Sequence, residues 1–364
     1  MNGPNPLSIT RQKLADAICQ YQPPVNTPLN VSPWIAMSAL QKAIRRGQDG
    51  LAQRAAATLL STSPERLWRR CGCIAFEDVG VADLDTVAIV TAALAGKRFR
   101  ASLGGEWAVA SFIVSKLVHA PKCRGADDLL MGAELHPAYE RARLDFACRT
   151  TADLIGIAVG SAPLPIRSLA LWFGVGTDRR SSPRLQPRRG DPMAMFDVLS
   201  EAGIPPTVVE IAREGFRKVG DALCPFVALL HPLRQHETVV IEDDAFPPEV
   251  MVGEVPSWSL DVYSRPGRAA LHAFLQGDSK TARWVRAHVP AARRVNFLGT
   301  VVFRVEGQLC LQRLRWPVAD ELRRLVDFEC HGPHCPDATE ILQLTRDDIP
   351  ALNEVRLRLN GGSI

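Results

Sequence analysis

From Ser38 to Thr86 the chain reads SALQKAIRRGQDGLAQRAAATLLSTSPERLWRRCGCIAFEDVGVADLDT, and this stretch decides the fold. Just ahead of it, Ser32-Pro33 supplies a capping hydroxyl and a proline at the first helical position, where no N–H is missed. Ile35, Ala39 and Ile44, with Leu40 and Ala43, keep near-helical spacing and give the first helix one apolar face. Lys42, Arg45 and Arg46 end that helix, where cations suit its dipole. Gly47 and Gly50 punctuate a turn, and Leu51, Ala55 and Leu59 mark a second, Ala-rich helix. Ser63-Pro64-Glu65 starts a third, with Leu67, Cys71, Ile74 and Ala75 on one face. Short helices on short loops predict an antiparallel helical array.

The same stretch resembles the C-terminal region of the RarA/MgsA family, relatives of the clamp-loader ATPases. That family carries a motif much like SALxKxIRGSDxDAAxYxLARxL, then an arginine-rich helix, then ASEDIGLADP. The counterparts are Ser38-Ala39-Leu40-Gln41-Lys42-Ala43-Ile44-Arg45, then Arg66 through Arg70, then Ala75-Phe76-Glu77-Asp78-Val79-Gly80-Val81-Ala82-Asp83. Ala120-Pro121-Lys122-Cys123 is similar to the family's APKSN. The resemblance covers residues 30–130, with the motifs in family order. It implies a helical collar that builds a ring-like oligomer beside an ATPase. That ATPase domain is expected ahead of the collar, where this chain has some thirty residues. The sequence has no GxxxxGK[ST]; Gly96-Lys97 and Gly174-Val175-Gly176 lack the remaining phosphate-loop residues. ATP hydrolysis is therefore not carried over.

A length of 364 residues accommodates two or three domains. With 43 basic and 39 acidic residues, the net charge of +4 permits nucleic-acid binding without demanding it. Arginine greatly outnumbers lysine, which fits phosphate contacts and GC-rich coding alike. No signal pattern opens the chain, and no run supplies the uninterrupted apolar residues of a membrane span. Nine cysteines, an odd number without a disulfide ladder, point to a reducing cytoplasm.

The expected fold class is mainly α, a clamp-loader-collar-like array followed by a smaller α+β C-terminal region. Residues 1–30 form a helix and a Pro-rich linker, and 31–177 the collar-like domain. Residues 178–190 form an Arg-rich loop, 191–232 a helical extension and 233–364 the α+β domain. In that last part Thr238 to Ile241 reads as a strand, Ser264 opens a helix, and Val318 to Phe328 is helical. Phe297 to Val305 and Gln308 to Leu314 alternate around Glu306-Gly307 as a hairpin.

The loop DRRSSPRLQPRRG cannot bury a core and is expected on the surface. Its Arg179, Arg180, Arg184, Arg188 and Arg189, together with Lys42, Arg45 and Arg46, are the candidate nucleic-acid contacts. A solvated linker explains the loop equally well. Arg213, Arg217 and Lys218 share a helical face that reads as solvated.

Other clusters carry weaker chemistry. Cys330, His331, His334 and Cys335 are zinc-type ligands, with Cys310 as a further one. One six-residue loop wraps four ligands around a metal with difficulty, so a surface turn is favoured and no metal or other cofactor is assigned. Glu77, Asp78, Asp83 and Asp85 suit helix capping and a charge contact to Arg69 or Arg70 better than magnesium. Glu242-Asp243-Asp244 lacks the spaced partner acid of a nuclease. Arg283 and His288 match a loose helical ribonuclease pattern, and there is no GxSxG elbow. His119 reads as a helix-end residue, and Cys71 and Cys73 as core or spacer.

Three functions are compatible with these features. The favoured one is a non-catalytic DNA replication or repair accessory that binds DNA or replication and repair proteins and forms a homo-oligomer. The second is a metal-dependent nuclease using Glu242, Asp243 and Asp244. The third is a protein-binding adaptor of a phage or mobile element, directed at the host replication machinery.

Overall fold

The computed structural model describes residues 6–179, 182–329 and 337–360. Twenty α-helices and four short strands lie among them, so the fold is mainly α with a small α+β region towards the C-terminus. The first helix, α1 (Pro6–Gln20), leads through a linker to α2 (Pro33–Arg45). Ser32 caps α2 as its spacing predicts, its Oγ accepting the Ile35 amide at 3.4 Å. Then come α3 (Asp49–Thr62) and α4 (Pro64–Ile74), and α2 packs along α3. The alanines of α3 (Ala52, Ala55, Ala56) are fully buried, which lets these backbones approach closely.

Helix α4 does not stop cleanly. It widens into a π-helical turn, Ala75–Val79, that carries Glu77 and Asp78. Such single turns displace side chains from the helical register and occur often at functional sites. Gly80 ends it at φ 51°, a left-handed conformation, and a Cβ there would lie 2.9 Å from the Cys123 carbonyl oxygen. Asp83 then caps α5 (Leu84–Ala93) by accepting the Thr86 amide.

The array continues with α6 (Lys97–Ser102), α7 (Glu106–His119), α8 (Gly125–Leu135), α9 (Glu140–Phe146) and α10 (Thr151–Val159). A capping box between Thr150 and Asp153 starts α10. Helices α11 (Leu164–Val175), α12 (Pro192–Glu201), α13 (Pro206–Val219) and α14 (Leu223–Gln235) complete this part.

Strand β1 (Val240–Glu242) follows, then the two-residue strands β2 (Met251–Val252) and β3 (Val255–Pro256), which pair with each other antiparallel. Helices α15 (Arg265–Gln276), α16 (Lys280–His288) and α17 (Arg294–Val302) come next. Strand β4 (Arg313–Arg315) pairs antiparallel with β1, Val240 opposite Arg315. Helices α18 (Pro317–Arg324), α19 (Ala338–Asp347) and α20 (Ile349–Asn360) close the chain.

The hairpin expected over 297–314 is not formed. Its first arm is α17 running into a second π-helical turn, Phe303–Gly307, and only Arg313–Arg315 of the second arm is a strand. A short apolar run such as FLGTVVF suits a buried helix as well as a strand, and periodicity alone does not separate them.

One large core runs from Leu14 to Leu322, and a second, of residues Leu271 to Leu352, gathers α15, α16, α17, α19 and α20. Val252, Val255, Trp258, Leu260, Leu314 and Trp316 belong to the first core. The segments after residue 233 are thus packed into the preceding helical array. Among the described residues no helix is long and apolar enough to cross a membrane.

Candidate functional site

Helix α2 ends on Lys42, Arg45 and Arg46, and all three turn inward. Arg45 is 2% exposed; its Nε donates to Asp78 at 2.8 Å, its Nη2 to Glu77 at 2.7 Å and its Nη1 to the Gly307 carbonyl at 2.8 Å. Lys42 donates to Ser38 Oγ, to the Trp258 carbonyl and to Asp261. Arg46 donates to the Glu306 carbonyl at 3.0 Å and lies over the Phe246 and Trp258 rings. These cations therefore do not form the exposed, phosphate-facing set expected from sequence. Buried cations require partners, and the chain supplies them from its own carboxylates and carbonyls.

Arg124 completes the cluster. It is buried, and it donates to Glu77, to Asp78 and to Asp127. Asp78 is fully buried and also accepts from Gln41 at 3.0 Å, while its backbone carbonyl takes the Cys123 amide at 2.8 Å. The contact of Glu77 and Asp78 expected to Arg69 or Arg70 is thus made mainly to Arg45 and Arg124. The turn Ala75–Val79 is what swings both carboxylates toward α2 and α8.

The charges divide unevenly. The cations of Arg45, Arg124 and Arg70 hold the Glu77 carboxyl down at about 2 against its burial, which acts the other way. Burial first, and then the like charges of Glu77 and Asp128, push the Asp127 carboxyl up to about 7 despite Arg124. Lys122, at the neighbouring motif, is lowered to about 8 by burial; its ammonium donates to the Val118 and Ala120 carbonyls. Its backbone joins β4: Lys122 N donates to Gln312 O, and Leu314 N to Lys122 O.

Over this cluster opens a cleft of about 400 Å³. Helix α2 contributes Trp34, Met37, Gln41, Lys42 and Arg45 to it; α4 and its turn contribute Arg70 and Glu77; α8 contributes Asp127 and Met131. The opposite wall is Asp261, Val262 and Tyr263 with Gly299, Thr300, Phe303 and Arg304. Trp34 and Tyr263 are 57% and 80% exposed, and the Arg66 guanidinium stacks over the Trp34 ring at 5.2 Å. The far wall is tied down by Arg356, whose two Nη atoms each donate to Glu306 at 2.9 Å.

The arginine loop lies elsewhere. Thr177 takes the Arg188 carbonyl through its amide, and its hydroxyl accepts the Arg188 amide and donates to the Gln186 carbonyl. Ser182 donates to Glu134, and Arg184 to the Leu135 carbonyl at 3.4 Å. Arg188 is half-buried and donates to the Phe173 carbonyl at 3.2 Å, so it anchors the loop. Arg179, Arg184 and Arg189 are exposed, Arg179 above the Phe216 ring at 5.0 Å. Arg180 lies outside the described residues, as do Cys330, His331, His334 and Cys335.

Among the described residues no three His, Cys, Asp or Glu side chains converge as a metal site would need. Asp244 is paired with Arg313 at 2.7 Å and with Arg323, Asp243 accepts the Gln312 amide, and Glu242 faces Arg315 at 3.5 Å. The three acids fasten β1 against the β4 region. Arg283 pairs with Asp278, whereas His288 stacks on Trp284, so the ribonuclease pattern is split between two separate contacts. Arg213 and Arg217 pair with acids on or beside their own helix.

Arg124, Asp127, Glu306 and Arg356 were not singled out from sequence. Arg124 directly follows Ala120-Pro121-Lys122-Cys123, and that adjacency was the available signal. Compared with family models, curated proteins and solved structures, the chain finds no match in any of the three.

Proposed function

We propose that this chain is a non-catalytic accessory of DNA replication or repair: a collar-like helical scaffold that holds nucleic acid on its arginine loop and docks on replication proteins. The supporting observation is the mounting of that loop. The described parts of the loop, 177–179 and 182–190, are fastened through Thr177, Ser182 and Arg188 and leave Arg179, Arg184 and Arg189 exposed to solvent. Cations on an anchored loop neutralise phosphates with little ordering cost, and counterion release makes such binding steeply salt-dependent. Lys42, Arg45 and Arg46 take no part in this reading, because they are spent inside the molecule.

The test is fluorescence anisotropy with single-stranded, duplex and forked DNA across a salt titration. Replacing Arg179, Arg184 and Arg189 together by Gln is expected to lower the slope of log affinity against log salt by about 2–3. No binding at low salt, or an unchanged slope in the triple variant, refutes the reading. The ring-like oligomer implied by the resemblance is part of the same proposal. Light scattering across micromolar concentrations is expected to give a multiple of the 39.8 kDa chain mass, and a monomer throughout removes it.

A further inference from the structure

We infer that the cleft between α2, α8 and α17 is a binding site for a small ligand that joins a planar ring to an anionic group, a nucleoside monophosphate by its size. This site is separate from the arginine loop and does not depend on the nucleic-acid reading.

The first observation concerns donors. Four cationic side chains line the cleft, against the carboxylates of Glu77, Asp127 and Asp261. Two of the cations are spent: Lys42 uses its three hydrogens on Ser38, Trp258 and Asp261, and Arg45 engages all three of its nitrogens. Arg70 is not. Arg70 donates through Nη1 to Gln41, at 3.1 Å, and through no other nitrogen to a described residue. Arg304 is committed in part: its Nη1 donates to Gln308 Oε1 at 2.9 Å, and its Nε, without a hydrogen-bond acceptor, lies 3.6 Å from Asp327. The uncommitted Arg70 nitrogens are thus the donors an entering anion would meet, in charge-assisted hydrogen bonds. The raised Asp127 carboxyl adds to this, since in its protonated form it leaves the lining with a surplus of positive charge and donates a hydrogen bond of its own.

The second observation concerns rings. Trp34 and Tyr263 stand well exposed on the two walls, one on α2 and one ahead of α15, with Phe303, Met37 and Met131 also lining the cleft. Exposed aromatic faces beside arginine donors suit a base and its phosphate. The volume of about 400 Å³ falls in the range of small-molecule sites and is roomy for a single benzenoid acid. Both walls carry a π-helical turn, Ala75–Val79 and Phe303–Gly307, and these present Glu77 and Arg304 to the same space.

The experiment is calorimetric titration of the full chain with AMP, GMP, CMP and UMP, and with adenosine, inorganic phosphate and benzoate as single-feature probes. Saturable binding of at least one nucleotide is expected, about tenfold tighter than adenosine or phosphate alone. Arg70→Gln should weaken the nucleotide about tenfold and leave adenosine unchanged. Trp34→Ala should weaken both alike, by about tenfold. Both positions are at least partly exposed, and thermal melting checks that the variants fold. No saturable heat with any nucleotide up to about 1 mM overturns the inference. Equal affinity for phosphate alone overturns the ring half of the site, and tighter binding of benzoate overturns the choice of a nucleotide. Nucleotide binding that neither variant alters shows that the ligand sits elsewhere.

Discussion

Asp78→Ala is the sharpest probe of the buried charge cluster. Asp78 has no exposure, and it accepts from Arg45 Nε at 2.8 Å, Gln41 Nε2 at 3.0 Å and Arg124 Nη1. Removing it leaves Arg45 and Arg124, each 2% exposed, sharing Glu77 alone on that side. Truncating one partner of a buried pair costs about 3–5 kcal/mol, because the remaining charge is stranded. That is a large part of the about 5–15 kcal/mol that holds a typical domain together. The assay is urea unfolding followed by circular dichroism, with the midpoint expected to fall by about 1 M or more. The control is Asp278→Ala, which breaks the exposed Arg283–Asp278 pair and should leave the midpoint in place. A second arm adds Arg45→Met to Asp78→Ala; the double variant should cost less than the sum of the singles, by about 0.5–3 kcal/mol. If Asp78→Ala behaves like Asp278→Ala, or the two changes simply add, the cluster is not the fastening described here.

Three further expectations follow from the same region. The Asp127 carboxyl has a folded pKa of about 7 against 3.8 unfolded, so the folded state holds the extra proton and stability falls as pH rises from about 4 to about 7; Asp127→Asn should flatten that fall in pH-dependent melting. Glu77, held at about 2, works the other way, contributing stability above pH 4.5 that is lost as pH falls towards 2. A Cβ at Gly267 would lie 2.0 Å from the Asp261 carbonyl oxygen, so Gly267→Ala must move the segment that holds Lys42. Crowding of this kind costs about 1–3 kcal/mol, and chemical denaturation should show it.

The helical part of this fold was legible where local chemistry is decisive. Ser32 and Ser264 cap their helices where the spacing predicts, and of the acidic pair Asp83 and Asp85 it is Asp83 that caps α5. The 297–314 region was not legible, because a buried apolar run lacks the polar alternation that tells strand from helix. The candidate site was half legible. Lys42, Arg45, Glu77 and Asp78 were singled out, yet their mutual pairing was not, since Arg45 and Asp78 stand 33 residues apart and nothing in helical spacing links them. Cations at a helix end read naturally as dipole partners or as phosphate contacts. Only the placement of the turn Ala75–Val79 beside that end converts them into interior charges. Arg124 escaped for the same reason, lying 46 residues from Asp78.

Three of the four stretches on which the proposed resemblance rests meet at one place. Lys42 and Arg45 come from Ser38–Arg45, Glu77 and Asp78 from Ala75–Asp83, and Lys122 and Cys123 from Ala120–Cys123, which Arg124 directly follows. Each stretch is also tied to the later part of the chain: Lys42 to Asp261, Arg45 to Gly307, and Lys122 to Gln312 and Leu314. Buried ion pairs add little net stability over apolar packing, but breaking one strands a buried charge, so arrangements that separate these segments are penalised. A carboxylate pair swung inward by a π-helical turn can accept from α2 and α8 only in this arrangement. The same network that uses up Lys42 and Arg45 leaves Arg70 with donors to spare in the cleft that Trp34 and Tyr263 line. Fastening the two walls and keeping a charged, aromatic cleft open between them are thus two results of one set of contacts, and a change that loosens the fastening should be felt in the cleft.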